Sequence, residues 1–409
     1  MTRRFTASGH LIDSGIMTTI FNLIIGEGAD YKVVSFDIGR MNEEYSTMEL
    51  DLIATDEEQI EVLTQKLVQA GCYEKTAPEA ALKPAPRDGC VPDDFYSTTN
   101  HRTEVFVDGQ WSPVAAQRMD AAIVLGKDGA VCTKVRDVRA GDLVVCNAES
   151  VRVFPPFRDR QGDLFGFMTN DVSSERSVDV IVDKVAHELE ESRLSQKKVV
   201  FVAGPVLVHT GGSVAFQWLI RNGYVNGLLA GNALAVHDIE SVLYGTSLGV
   251  GLTTGRPTHE GHKNHMRAIN RVRFHGSIKA AIDAGALTSG IMYETLAAGV
   301  PYCLAGSIRD DGPLPETVND MIEAQTQYAR IVSGAGMVIM LSSMLHSIGT
   351  GNMLPSWVKT VCVDINPAVV TKLADRGSSQ AVGVVSDVGF FLRALAARLD
   401  TIRQEPDQH

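Results

Sequence analysis

The sequence predicts an α/β protein. Its C-terminal part reads as a doubly wound, mostly parallel sheet, preceded by a ferredoxin- or ACT-like α+β module and a small β-rich domain. Three observations predict it. From Val178 onward, apolar runs alternate with amphipathic helices. The run Lys198–Ala203 lacks polar alternation, as a strand buried on both faces does. Strand after strand also ends in a loop rich in Gly, Ser, Asn or Asp, the place where sheets of this kind bind ligands.

The 409 residues exceed one small core, and boundaries are expected near 75 and 155, giving domains 1–75, 76–155 and 156–409. A net charge of −12, from 37 Lys+Arg against 49 Asp+Glu, argues against nucleic-acid or anionic-membrane partners. No apolar run is long enough to span a bilayer, and none follows Met1–Thr6 as in a signal peptide. The cysteines Cys72, Cys90, Cys132, Cys146, Cys303 and Cys362 are scattered without a CxxC pair, which points to free thiols and a cytoplasmic location.

In chain order, Phe5–Leu11 reads as a strand, and Asp13-Ser14 offers an N-cap to a helix over Ile16–Ile25. Tyr31–Ile38 and Met48–Ile53 alternate as half-buried strands, and Asp56-Glu57-Glu58 opens a helix that stops at Gly71. Modules of this kind often serve regulation or assembly, so a homo-oligomer, dimer or tetramer, is expected. Residues 73–154 are punctuated by Pro84, Pro86, Pro92 and Pro113. Short runs there (Thr103–Val107, Ala121–Leu125, Val131–Val135, Leu143–Val145) predict a β domain without helices, shaped as a partial barrel. Arg158–Arg176 reads as a polar connector.

The α/β part then predicts helix Val178–Ser192, strand Lys198–Ala203, helix Gly212–Asn222, strand Val225–Ala230 and helix Ala233–Tyr244. After a polar interval over 245–299 come strand Val300–Leu304, helix Glu316–Ile331 and strands Met337–Leu341 and Val358–Val363. Helix Ala368–Ala374, strand Ala381–Val385 and helix Gly389–Leu399 close the chain.

Six strand-end loops carry the chemistry: Gly204-Pro205 with His209–Gly212, Gly231-Asn232, Gly306–Gly312, Ser342–Met344, Asp364–Asn366 and Ser386–Val388. Glycine admits close backbone approach and presents N–H groups to phosphate, and an Asp at a strand end accepts ribose hydroxyls. Together they favour a dinucleotide. Neither GxGxxG after a strand nor GxxxxGK[ST] occurs, so an ordinary Rossmann dehydrogenase and a P-loop NTPase are disfavoured. Gly261-His262-Lys263-Asn264-His265 places two imidazoles three apart, but no third ligand follows at zinc spacing, and no metal is expected.

Several strings together resemble the NAD-dependent ornithine cyclodeaminase family, found in archaea and as the C-terminal half of cyanobacterial arginine dihydrolase/ornithine cyclodeaminase, formerly the LOR/SDH conserved-region family. They are Gly9–Ser14, Pro92–Thr103, Gly204–Gly212, Gly261–His265 with Ala268–Asn270, Ala305–Pro315, Met340–Pro355 and Val361–Gly377. The resemblance implies a C-terminal domain of deoxyhypusine-synthase-like type, with NAD laid across the strand ends. It carries NAD contacts onto Thr210, Gly211, Gly212, Gly231, Asn232, Asp238, Asp310, Ser342, Ser343, Met344, Asp364, Asn366, Asp387 and Val388. The guanidine-modifying region of the cyanobacterial fusion has no counterpart in these strings, so arginine dihydrolase activity is not expected.

The implied reaction turns ornithine into proline and ammonia, an ammonia-lyase step of arginine and ornithine catabolism and of proline biosynthesis, with NAD regenerated at each turnover. It needs a cation for the α-carboxylate, for which Arg309 and Lys263 are the candidates. It also needs a proton shuttle, for which Asp311 or His265 is. Asn100 and His101 are candidate substrate contacts. An opine- or saccharopine-type dehydrogenase and a non-catalytic nucleotide-binding regulator are the alternatives. One methylene discriminates weakly, so the preferred diamino acid is left open.

Overall fold

The computed structural model describes all residues except 10, 13–14, 40–45, 75–76, 156–173, 254, 257, 259–260, 311, 370–380 and 405–409, with backbone alone at 174–177, 262 and 381. The chain forms two compact units. The first comprises Met1–Asp163 and Asn352–Trp357, and the second Leu164–Gly351 and Val358–His409. Asn352–Trp357 belongs to the first unit, where the Ser356 N–H donates to the Asn100 carbonyl at 2.9 Å.

The N-terminal module runs β1 (Thr2–Gly9), α1 (Ile16–Gly26), β2 (Asp30–Asp37), β3 (Ser46–Ile53), α2 (Glu57–Gln69) and β4 (Cys72–Tyr73). Its antiparallel order β2-β3-β1-β4 is the ferredoxin-like arrangement expected from the element order. Period-two alternation puts Met48, Leu50 and Leu52 of β3 on one face, packed with Phe5, Ile20, Ile24, Leu63 and Leu67. Asp56 caps α2 by accepting the Gln59 N–H at 2.9 Å. The cap expected at Asp13-Ser14 lies outside the described residues.

The second sheet comprises β5 (Leu82–Pro84), β6 (Arg102–Val107), β7 (Gln110–Ala115), β8 (Ala122–Gly126), β9 (Gly129–Thr133), β10 (Leu143–Val145) and β11 (Val151–Phe154). Its order β11-β6-β7-β9-β8-β10-β5 leaves two edges, so the sheet is not closed. β7 was missed because Pro113, read as punctuation, lies inside it opposite Glu104.

The second unit opens with α3 (Ser174–Leu194), then β12 (Lys198–Ala203), α4 (Val206–His209), α5 (Ser213–Arg221), β13 (Gly227–Gly231) and α6 (Asn232–Tyr244). The interval 245–299, which the sequence left unassigned, holds the hairpin β14 (Thr246–Ser247) and β15 (Val250–Gly251). It also holds α7 (Asn264–His275), α8 (Ile278–Asp283) and α9 (Ile291–Ala297). There follow β16 (Tyr302–Ala305), β17 (Thr317–Val318), α10 (Met321–Val332), β18 (Ala335–Leu341), α11 (Met344–Gly351), β19 (Lys359–Asp364), β20 (Ala381–Val385) and α12 (Val388–Gln404). Glu316–Ile331 is not one helix as expected: Thr317-Val318 pairs with β16, and Asp320 caps α10 by accepting the Ile322 and Glu323 N–H groups. The helix expected over Ala368–Ala374 falls largely outside the described residues.

The described strands of the main sheet are all parallel, in the order β17-β16-β13-β12-β18-β19-β20. Val199, Val200, Phe201 and Val202 of β12 and Val338, Ile339 and Met340 of β18 are buried at its centre. The strand order reverses between β12 and β18. The crevice beyond that reversal is where such a sheet presents a ligand site.

Candidate active site

Two loops meet at the reversal. Gly204 follows β12 and Ser342 follows β18, and the Gly204 N–H donates to the Leu341 carbonyl at 2.9 Å. A Cβ at residue 204 would fall inside the van der Waals radius of the Ser342 carbonyl, so only glycine lets the loops close. Ser342 has φ +43°, a left-handed conformation that a non-glycine residue holds only under constraint from its surroundings. Its N–H donates to the Val363 carbonyl at 2.9 Å, which draws the end of β19 into the same crevice.

A second junction joins the Thr210–Gly212 loop to the start of α12. Gly389 is packed so closely on the Thr210 carbonyl that no side chain fits there, and Arg393 Nη1 donates to that carbonyl at 3.2 Å. Asp387 caps α12 through Phe390 N–H at 2.8 Å, and Val388 is buried beside it. At the end of β19, Asp364 Oδ1 accepts the Asn366 N–H at 2.8 Å, and the Asp364 carbonyl accepts from Ser386 N at 3.2 Å. The structure therefore brings together the expected residues Thr210, Gly211, Gly212, Ser342, Ser343, Asp364, Asp387 and Val388. Met344, half-exposed, opens α11.

Gly231, at the end of β13, faces the ring of His346, whose Nδ1 lies 3.2 Å from the Tyr328 hydroxyl. Burial holds His346 below the usual imidazole range, against an opposing pull from Asp310. Asp310 closes a turn after β16 by accepting the Ser307 N–H at 2.8 Å.

Two expected cofactor residues have their oxygens engaged within the fold. Asp238 is fully buried, and its two oxygens accept the Ile291 and Met292 N–H groups at 2.8 Å, capping α9. Burial raises its pKa to about 6 although those bonds favour the anion. Asn232 is buried with its Oδ1 accepting Leu314 N–H at 3.0 Å and Thr317 Oγ1–H at 2.9 Å, which ties the loop after β16 to α6. The physical reason is the same in both: a buried polar side chain is first claimed by the backbone groups around it.

The catalytic candidates are dispersed. Lys263 lines a cleft of about 650 Å³ with Tyr244, Arg267, Asn270, Arg271 and Phe274. Arg309 sits in the exposed Ser307–Asp310 turn, its N–H on Ser307 Oγ at 3.2 Å. Asp311 lies outside the described residues. His265, half-buried on α7, has its ring 6.4 Å from that of His237. Asn100 and His101 belong to the first unit at the start of β6, where Asn100 is buried and the His101 carbonyl accepts from Thr103 Oγ1 at 2.9 Å.

Sequence reasoning missed a polar cluster. His209 Nδ1 lies 2.6 Å from Ser247 Oγ, and its ring meets that of His237 edge-on at 4.9 Å. His237 Nδ1 in turn lies 2.9 Å from Glu240 Oε2. Burial, then the neighbouring His237, lowers His209 to a pKa of about 4. No group of three or more His, Cys, Asp or Glu among the described residues has the geometry to hold a metal ion. His209 was missed because it read as part of a glycine loop, and Glu240 because it sits mid-helix with no motif around it.

A dinucleotide needs N–H and hydroxyl donors for its phosphates and a carboxylate for a ribose. The N–H groups of Thr210, Gly211, Gly212 and Ser342 are already donated to the Val206, Val208, Leu207 and Val363 carbonyls, and Asp364 is the carboxylate at the crevice. Ser213 Oγ, at the first residue of α5, is buried without a hydrogen-bond partner, as a hydroxyl set to meet a phosphate oxygen is.

Comparison with known proteins finds matches over nearly the whole chain. The family model described as arginine dihydrolase ArgZ-like, C-terminal, Rossmann fold, matches residues 183–395, and its companion first region matches 102–182. The LOR/SDH bifunctional enzyme conserved region matches 2–101. The chain is 48% identical to an ornithine cyclodeaminase of Methanocaldococcus jannaschii, over 98% of this chain and 97% of the relative. It superposes with a TM-score of 0.86 and 41% identity on ArgZ, an arginine dihydrolase of the ornithine–ammonia cycle in cyanobacteria, over 98% of this chain and 59% of that one. With the ternary complex of AgrE with ornithine and NAD+ the identity is 45% and the TM-score 0.55, over 99% of this chain and 58% of that one.

Proposed function

The chain belongs to the ArgZ-like C-terminal family that includes the archaeal ornithine cyclodeaminases, and from that membership we propose that it converts L-ornithine to L-proline and ammonia with NAD as a recycled cofactor. The observation that carries the reading is the convergence of the strand-end loops at the reversal between β12 and β18, held by the Gly204–Ser342 and Thr210–Gly389 junctions. Bound there, NAD supplies the hydride acceptor that begins the reaction and the hydride donor that ends it. The residues of the chain do the rest. The Thr210–Gly212 and Ser342–Met344 loops with Ser213 hold the phosphates, and Asp364 orients a ribose. Lys263 or Arg309 is assigned the substrate carboxylate. Proton transfer to and from the substrate nitrogens falls to the imidazole group around His265, or to Asp311. The step belongs to proline formation from arginine-derived ornithine.

We further propose that it acts in the cytoplasm as a homo-oligomer. Six free cysteines suit a reducing compartment, and β2 is an edge strand exposing Val33 and Val34. Incubation with ornithine and sub-stoichiometric NAD tests the activity. Proline and ammonia in equal amounts, many per NAD and without net NADH, is the expected result. Net NADH formation or consumption would replace the reading with a dehydrogenase, and NAD binding without turnover by a regulatory protein.

A further inference from the structure

Glu240 is buried to 0% exposure on α6 and accepts four donors. Oε1 takes Thr246 Oγ1–H at 2.8 Å and Gly249 N–H at 3.0 Å; Oε2 takes His237 Nδ1–H at 2.9 Å and Leu248 N–H at 3.2 Å. Burial alone would push a proton onto this carboxyl. The bonds from His237, Gly249 and Thr246 together outweigh it and keep the group ionised below the usual carboxylate range.

An ionised carboxylate only accepts, so it fixes the tautomer of its partner ring. His237 carries its proton on Nδ1, and the Nε2 lone pair points to the opposite side of the ring from Glu240. The hairpin turn that presents Leu248 N–H and Gly249 N–H has φ +53° at Leu248, a constrained backbone maintained at the carboxylate. Ser247 of the same hairpin holds His209, whose depressed pKa keeps that ring uncharged. Among the described residues, the titratable groups facing His237 are Glu240 on its own helix, His209 at the end of α4 and His265 on α7. α4 and α6 are the segments by which the chain leaves β12 and β13, at the strand ends that form the crevice.

We infer that His237 takes and returns the proton of the substrate amine, and that Glu240 is the residue that positions it. The inference rests on the cyclodeaminase reading. The substrate enters with both nitrogens as ammonium groups, and loss of hydride from its α-carbon does not proceed until the α-nitrogen is neutral. The α-ammonium gives its proton to His237 Nε2, leaving a free α-amine and an imidazolium facing Glu240, while the δ-ammonium loses its proton to solvent before its nitrogen attacks and the ring nitrogen so formed sheds a second one there. The imidazolium then returns the same proton to the departing nitrogen, which leaves as ammonia, and the ring ends neutral.

The test uses the full chain with NAD and ornithine. The wild type is assayed first for proline and ammonia; a wild type that binds NAD but forms no proline overturns the underlying reading, and this inference with it. Given turnover, His237→Gln, which keeps a donor to Glu240, is expected to lower kcat at least 100-fold while NAD affinity stays within threefold. Glu240→Gln is expected to lower kcat more than tenfold and to move the acid limb of the kcat/KM–pH profile downward, because the ring loses its anionic partner. Exogenous imidazole is expected to restore part of the activity to His237→Gly. A His237→Gln variant with kcat within threefold of wild type would overturn the inference, as would a fold-related loss in Glu240→Gln accompanied by an unmoved acid limb. If Glu240→Gln fails to fold, the His237 variants decide alone.

Discussion

Asp238 and His209 show how one side chain is turned from a sequence expectation into a structural role. Both follow a strand-end loop, and burial acts on both, yet it leaves Asp238 with backbone partners and His209 with a hydroxyl. Asp238→Asn removes one of two acceptors for the first turn of α9, a cost of about 1–3 kcal/mol. The expected outcome is a lower Tm with NAD affinity unchanged, read by thermal melts and NAD titration; a large loss of NAD affinity would return Asp238 to the cofactor site. For His209 the folded pKa of about 4 lies below the unfolded value, so the unfolded state binds more protons between roughly pH 4 and 6.5. Stability present above that window is lost as pH falls through it, by about 2 kcal/mol after allowance for partial solvent screening. Denaturant melts from pH 7 to pH 4 are expected to show a shallower loss in His209→Gln.

α12 illustrates how an element positions a loop. Its apolar stripe, Val388, Phe391, Leu392, Leu395 and Leu399, is legible as helical spacing and is buried. Its N-terminal Gly389, by contrast, read as an unremarkable residue near a helix start and proves to be the seat of the Thr210 carbonyl. Gly389→Ala must displace backbone, since the atom it meets is a carbonyl and not a flexible side-chain tip. The expected result is an NAD dissociation constant raised at least tenfold with Tm lowered by a few degrees; unchanged affinity would detach this junction from the cofactor. β17 shows the converse. Thr317-Val318 continues an apolar pattern into α10, and only the Asp320 cap and pairing with β16 separate strand from helix.

At the scale of the whole molecule, a ligand that binds only the folded state stabilises it by about 2.7 kcal/mol at 100 times its dissociation constant. NAD at that concentration is expected to raise Tm by several degrees, followed by differential scanning calorimetry, and no shift would remove the cofactor from the account. The chain is nearly coextensive with the archaeal relative and spans under three fifths of ArgZ and AgrE, so the fold described belongs to the portion they share.

From the sequence alone came the kind of each layer and the edge of the sheet where chemistry sits. Apolar period and loop composition are local quantities, as β3, β12 and α12 show. The ferredoxin-like module and the parallel sheet follow from local alternation plus the short list of ways to bury it. Only the tertiary structure decided which polar residues meet one another. His209 and the His237–Glu240 pair of α6 are separated along the chain, and Ser247 on the hairpin, whose register no periodicity encodes, holds His209 beside them. Asp238 and Asn232 looked alike in sequence to Asp364, but their oxygens are claimed by segments distant in the chain and Oδ1 of Asp364 by its own turn. Which partner claims a side chain depends on contacts distant in sequence, and those exist only once the chain has packed.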